Sequence, residues 1–573
     1  MQEVNLAAGA AQEVRWPVTV PSDRSVLAWT VAGEEKGAAK PARDALKVAQ
    51  RVAPAVPLTV QQATLVQVDR AFTLPVAPPA AALKDAKGVA RGGLSVALSP
   101  RLAGAQEGVR RYFAEYPFSC LEQKTSKAIG LKDKAQWQAL AAQVGNYLDS
   151  DGLAGYFPGG RGSDTLTAYV LAVAHESGFA LPEGVKERME AGLIAFVEGR
   201  IQREGWSPVR DLEARRLAAI EALARTGKAV PRMLDAITLT PNAWPTHAVI
   251  DWVSILSRMP QIAKRDEQLA AAEQVLRGRL TMSGTRMVFS TENEDRWWWL
   301  MAGGDVNAAR LIAVLADKPN WREDMPRLVA GLVARQQRGA WETTTANLWG
   351  TLALDKFGAR FESASVAGST RAGYEGTTPA SSLNWGTQAQ GGALALPWPA
   401  AGATLKLVHE GGGKPWAAIS STAAVPLREA VSAGYRITRT VMAVEQKTAG
   451  TWTRGDVLRV RVEVDAQADM TWVVVADPVP AGATVLGSGM ARDSQVAQAG
   501  QRGPTGAWPA FEERAQEAFR AYYDYAPKGK WSVEYTLRLN QDGEFNLPPT
   551  RVEAMYAPDV NGMLPNAPMK VAP

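Results

Sequence analysis

The period of the apolar pattern changes twice along these 573 residues, and nothing else in the chain constrains its fold as strongly. Up to about Pro100 apolar and polar residues alternate. Val14, Trp16, Val18 and Val20 interleave with Glu13, Arg15, Pro17 and Thr19, and Gly-Leu-Ser-Val-Ala-Leu at 93–98 repeats the habit. A period of two predicts half-buried strands. From about 105 to 360 the period becomes helical: Trp137, Leu140, Ala141, Val144 and Leu148 mark one apolar face, and Met189, Leu193, Phe196 and Val197 another. Further helical segments follow around 163–178, 210–226, 244–258, 263–278, 305–316, 321–336 and 344–358. Helices this short must bury a stripe against neighbours, either as a stack or as a closed ring. After about 360 the alternation returns, with Leu458, Val460, Val462 and Val464 on one face and Trp531, Val533, Tyr535, Leu537 and Leu539 on another, which predicts a β-sandwich. Ser369 to Gly392, rich in Gly, Ser and Thr, reads as a surface connection. A chain of this length exceeds one hydrophobic core and predicts roughly three to four domains. Strands on both sides of a helical segment suggest that the helices are inserted in a sheet domain.

Composition removes several function classes. The net charge of +5 is spread without a Lys/Arg run or a basic-aromatic stripe, which argues against a nucleic-acid partner. One cysteine excludes an intramolecular disulfide, and His175, His247 and His409 have no metal-ligand spacing, so neither metal nor cofactor is expected. The start MQEVNLAAGA has no signal-peptide pattern and no apolar run approaches a membrane span.

The single cysteine lies in Tyr116-Pro117-Phe118-Ser119-Cys120-Leu121-Glu122-Gln123. Ser119 and Glu122 form the S-x-x-E pattern of a capping box, which predicts a helix starting at Ser119 with Cys120 in its first turn. The positive end of that helix would favour a thiolate. Residues at i and i+3 share a face, roughly 5–6 Å apart at Cβ, so the sulfur and the Gln123 carboxamide can meet. Attack of the thiolate on that carbonyl would expel ammonia and leave an internal thioester. A buried structural cysteine is the competing reading. Glu122 likewise reads as the cap partner or as an acid/base helper beside the sulfur.

The stretch Tyr116 to Leu131 (YPFSCLEQKTSKAIGL) closely resembles the thioester region of bacterial alpha-2-macroglobulins, whose C-L-E-Q motif supplies the bond. The resemblance implies a multidomain α + β architecture, with an alpha/alpha toroid thioester domain inserted between beta-sandwich domains of CUB and macroglobulin-like type. Its boundaries would be 1–57 for the end of a macroglobulin-like domain, 58–104 and 365–428 for the two parts of the CUB domain, 105–364 for the toroid and 429–573 for a C-terminal macroglobulin-like sandwich. It implies Cys120 and Gln123 as the thioester, and Tyr116, Met555 and Tyr556 as its shield; on the residues alone, Met555 and Tyr556 fill a sandwich edge equally well. Gly339 to Thr345 (GAWETTT) resembles the turn before the toroid's last long helix. Trp297, Trp298 and Trp299 beside Arg296 read as core or interdomain packing.

The implied function is that of a broad-spectrum endopeptidase inhibitor, not an enzyme. Proteases would be trapped when a lysine attacks the thioester, and no histidine motif points to hydroxyl acceptors. The bait segment is not recognisable, so the chain is expected to be a C-terminal fragment of a periplasmic lipoprotein, anchored to the inner membrane through a lipid on an N-terminus outside it. The alternative is a non-covalent envelope scaffold with a free Cys120, binding partners such as peptidoglycan-synthesis proteins.

Overall fold

The structure is a computed structural model that describes residues 1–573 except 22–23, 38–39, 207, 363–364, 378–380 and 488–503. It divides into two compact units, 1–57 and 58–573. In the first, Val26–Glu34 pairs antiparallel with Arg43–Arg51, and Val31, Leu46 and Val48 are exposed on the hairpin. The alternation at Val14–Val20 does not become a strand: these residues are irregular and belong to no ladder among the described residues. Alternation alone stabilises no strand, because the ladder requires a neighbour.

The second unit begins with two four-stranded antiparallel sheets. One runs Gly392–Leu396, Gly92–Ser99, Trp416–Ala423, Thr59–Gln67, and the other Ala71–Val76, Ala403–Glu410, Ser369–Tyr374, Ser381–Asn384. Each therefore combines strands from before and after the helices, as Leu98 opposite Gly392 and Phe72 opposite Leu407 illustrate. Val96, Leu98, Trp385, Leu405, Leu407 and Ile419 form the core between them. The Ser369–Gly392 stretch is not a simple surface connection, since it supplies two strands and the buried Trp385, whose indole N–H donates to Thr370 Oγ1 at 2.9 Å. Small residues there reflect close sheet packing. The expected boundary at 364 lies outside the described residues.

Between these strands lie the helices. Leu121–Gly130 packs on Asp164–Ser177, that helix on Pro208–Arg225, and then in turn come Thr246–Arg258, Gly304–Leu315 and Thr344–Phe361, which returns to Leu121–Gly130. The circuit of contacts is closed. The Thr246–Arg258 helix buries every residue from Thr246 to Leu256, the polar His247, Asp251 and Ser254 included, as expected of a helix with neighbours on all sides. Local signals set the ends. Thr343 accepts from Ala346 N–H at 3.2 Å as the N-cap of the last helix, and Gly178, at φ +72°, ends Asp164–Ser177 in the left-handed conformation that glycine tolerates. No helix among the described residues is long and apolar enough to cross a membrane.

The C-terminal part is a pair of antiparallel sheets. Six strands run in the order Val431–Ala433, Asn561–Leu564, Thr550–Ala554, Met470–Pro478, Ala518–Ala526, Phe511–Arg514; four run Tyr435–Glu445, Val457–Ala466, Gly529–Leu539, Ala483–Leu486. Leu458, Val460, Val462, Val464, Trp531 and Val533 pack between them as their alternation demands. Asp477 is fully buried there, but the Arg439 guanidinium at 2.9 Å and the Tyr535 and Thr550 hydroxyls satisfy it. The helical core also runs on into this part: Val474, Tyr522, Met555 and Tyr556 belong to it.

Candidate functional site: the Cys120–Gln123 pair and its cover

The Leu121–Gly130 helix begins one residue later than the S-x-x-E pattern predicts. Cys120, at φ −77° and ψ 175°, is the N-cap: its sulfur accepts the Gln123 N–H, and Gln123 Oε1 accepts the Cys120 N–H at 3.0 Å. The capping box is therefore Cys120 and Gln123, and Ser119 lies outside the helix. Two contacts fix this phase. Leu121 N–H donates to the Tyr156 carbonyl at 2.9 Å, and the Glu122 carboxylate is already committed elsewhere. Glu122 is fully buried and accepts from Ser126 Oγ at 2.6 Å, from Thr344 Oγ1 at 2.9 Å and from the Tyr556 hydroxyl at 3.0 Å. Since Ser126 spends its proton on Glu122, the Tyr169 hydroxyl is the donor in the 2.6 Å contact between them. The Glu122 carboxylate is neither the cap partner nor a hydrogen-bond partner of the sulfur; it is the anchor of a hydroxyl network. Burial pushes its carboxyl up, and these hydroxyls oppose the shift.

The expected thiolate is also corrected. Cys120 is fully buried, and burial pushes its thiol well above the ordinary value; Glu122 adds to the rise, while the N–H groups of Gln123 and Glu122 pull the other way. Desolvation of a charged sulfur outweighs the helix end.

Cys120 and Gln123 are thus together, tied by the two reciprocal hydrogen bonds of the capping box. The remaining amide protons point at the cover. Gln123 Nε2 donates to Met555 Sδ at 3.0 Å and to the Tyr116 hydroxyl at 3.5 Å, and both Met555 and Gln123 are buried. Tyr116 and Met555, far apart in the sequence, therefore meet on Gln123, and Tyr556 reaches the neighbouring Glu122. Further aromatic residues line the cover, and apart from Phe118 they fall in no motif of the sequence. Phe118 meets Tyr522 edge-on at 6.3 Å between centroids, Phe157 stacks on Phe511 at 4.3 Å, and Tyr156 lies 3.7 Å from Trp472. Nothing in the sequence singles out Tyr156, Phe157 or Trp472.

The other singled-out residues fall away from the pair. His247 is buried edge-on to Trp297, and burial lowers it to about 3, with the Arg310 guanidinium contributing. His175 is on the exposed side of its helix. Trp298 packs against both the helical and the C-terminal cores, and Arg296 reaches Asp559 at 2.9 Å. Among the described residues no group of His, Cys, Asp or Glu has metal-binding geometry.

Residues 434–559 match the bacterial alpha-2-macroglobulin MG10 domain family. The chain superimposes on native Escherichia coli alpha-2-macroglobulin spanning domain MG7 to the C-terminus, with TM-score 0.69 at 17% identity over 93% of this chain and 85% of that one. It also matches the native conformation of the E. coli protein determined by cryo-electron microscopy, with TM-score 0.67 at 16% identity, covering 95% of this chain and 35% of that one. Salmonella alpha-2-macroglobulin reacted with methylamine gives 0.64 at 18%, covering 96% and 38%. The chain thus spans little more than a third of the longer proteins. No curated protein sequence matches it significantly. The resemblance read from the sequence is shown at two levels: an MG10 domain of the bacterial alpha-2-macroglobulins at 434–559, and over nearly the whole chain the fold of that family's C-terminal region.

Proposed function

We propose that Cys120 and Gln123 form an internal thioester and that the chain is the capture half of a protease trap. On this reading the helices 105–364 are an alpha/alpha toroid thioester domain inserted in a CUB domain made of 58–104 and 365–428. Residues 1–57 end a macroglobulin-like domain, and 429–573 form the C-terminal one that carries the latch. The observation that carries the reading is the reciprocal hydrogen bonding of Cys120 and Gln123 beneath Met555. It arranges the atoms that must react. The sulfur, losing its proton, adds to Cδ of Gln123; the charge gathering on Oε1 is met by the Cys120 N–H; and Nε2 departs as ammonia with the thiol proton. A lysine amine then adds to the thioester carbonyl, the C–S bond breaks, and the product is an amide and a free Cys120 thiol.

The cover explains how such a bond lasts. Water excluded by Met555, Tyr556, Tyr116 and the aromatic rings cannot hydrolyse it, so reactivity waits for the latch to open. Methylamine, with which the Salmonella relative was reacted, is the matching small probe. Export to the periplasm, an inner-membrane lipid anchor, proteases as partners and direct attack by amines in preference to hydroxyls all belong to this proposal. The upward shift of the Cys120 thiol favours one competitor: a scaffold in which the cysteine stays protonated and the domains bind envelope partners, such as peptidoglycan-synthesis proteins, non-covalently.

Intact mass of the non-reduced protein, with thiol titration before and after methylamine, decides between them. The thioester predicts a mass one ammonia below that of the sequence, no free thiol, and one thiol released per methylamine added. Full sequence mass with a thiol free in freshly prepared protein refutes it.

A further inference from the structure

Trp472 sits in the Met470–Pro478 strand with φ +54°, a left-handed backbone in a bulky residue that should avoid it. Its strand pairs Thr471 with Tyr525 and Val473 with Tyr523, so the strained residue is flanked by regular ladder on both sides. Such a conformation persists only where surrounding contacts hold it. Two contacts do so. The indole lies against Tyr156 at 3.7 Å between centroids and 32° between planes, with Phe157 at 6.4 Å. The Trp472 carbonyl accepts the Met555 N–H at 2.9 Å, just beyond the end of the neighbouring Thr550–Ala554 strand.

Those contacts close a loop around the reactive pair. The Tyr156 carbonyl holds Leu121 N–H at the start of the thioester helix; the Tyr156 ring meets Trp472; the Trp472 carbonyl holds Met555; and Met555 Sδ accepts from Gln123. We propose that Trp472 is the positioning residue of the thioester cover: its backbone, pinned by the stack on Tyr156, aims its carbonyl so that the Met555 sulfur is set on the Gln123 amide. The proposal rests on the thioester reading and adds to it the part that registers the C-terminal domain against the helices. A regular strand conformation at 472 would turn that carbonyl, and Met555 with it, away. The indole and the strain act as one device, for separation of the two parts removes the ring contact and lets the backbone relax, which opposes re-covering.

The test uses the full chain with Trp472→Gly, Trp472→Phe, Met555→Ala and the Gly/Ala double variant, following thiol release without amine. Trp472→Gly should speed release about tenfold, the scale of an aromatic pair's coupling, while Trp472→Phe stays within about twofold. The double variant should be no faster than the faster single one, because both changes open one gate. Unchanged release in the Gly variant, or multiplying effects in the double, overturns the proposal. A parent protein with a free thiol and full mass would end the thioester reading alone. Iodoacetamide labelling of Cys120 then decides the positioning role: acceleration by Trp472→Gly supports it, and an unchanged rate overturns it. Should Trp472→Gly fail to fold, Tyr156→Leu probes the same stack from the helical side, with the same expected acceleration and the same refuting result.

Discussion

Tyr556→Phe changes one atom of the cover and should change how often it opens. The ring would stay in place, buried and 6.4 Å from Tyr156, so packing is preserved. What disappears is the hydroxyl that donates to Glu122 Oε2 at 3.0 Å, a link between the C-terminal sheets and the Leu121–Gly130 helix. Hydrogen bonds to charged groups contribute about 1.5–3 kcal/mol. Thr344 reaches both Glu122 oxygens and Ser126 reaches one, so the carboxylate keeps donors and the lower end applies, about 1.5–2 kcal/mol. At about 1.4 kcal/mol per decade, the open population rises roughly 10- to 30-fold. On the proposed thioester reading, its hydrolysis, followed by Ellman's reagent at neutral pH without amine, should accelerate by the same factor, provided that opening and closing outpace the chemistry. In a Glu122→Gln background the bond is to a neutral amide, and the Tyr556→Phe effect should shrink to roughly one decade or less. A half-life within about twofold of the parent would refute the claim that this hydroxyl holds the latch, since the bond's expected value is far larger. An effect undiminished by Glu122→Gln would place its action elsewhere.

Three further outcomes follow from groups outside the cover. His247 is held neutral in the fold with its value near 3, so protons bind the unfolded chain first as pH falls. Stability is lost between pH of about 6.5 and 3, and between pH 6.5 and 4, where denaturation reads it, His247→Leu should flatten that fall by up to roughly 3 kcal/mol. Arg215 and Asp164 form a buried two-point pair at 2.6 and 2.9 Å; Arg215→Ala should destabilise the helical body by about 3–5 kcal/mol, measured by calorimetry, and Arg215→Met by less. Gly350→Ala would bring a Cβ to 2.3 Å from the Trp341 ring, which is buried and tied by its indole N–H to the Leu332 carbonyl at 2.9 Å. The overpacking cost of about 1–3 kcal/mol should exceed the helix-propensity gain of up to about 1 kcal/mol, and the melting temperature should fall.

How far the sequence could be read depends on the range of the forces concerned. The change of period located the strand and helix regions because burial periodicity is local, and Leu458 to Val464 or Met189 to Val197 face their cores as that period requires. Val14–Val20 misled because alternation says nothing about whether a partner strand is present. The Leu121–Gly130 helix starts one residue later than the local S-x-x-E rule at Ser119 and Glu122 predicts, because donors that claim Glu122 come from Thr344 and Tyr556, more than 200 residues away. The thiol's direction was misjudged for a related reason: the helix end is visible in sequence, but the aromatic burial that outweighs it is not. Met555 was found through the resemblance, while Trp472, whose carbonyl places it, has only its backbone angle to reveal it.

The interleaved sheets also dictate an order of assembly. Leu98 finds its partner in Gly392 and Phe72 in Leu407, with the whole helical body made in between. At ribosomal speed the early strands wait on the order of tens of seconds for those partners. During that interval Gly92–Ser99 presents Leu94, Val96 and Leu98 with no sheet to cover them, a segment open to mispairing with other chains. The helices, whose contacts are mostly sequential, can form first, so the sandwich is the last part of this region to close, and slow refolding and aggregation should concentrate there and not in the body that bears Cys120.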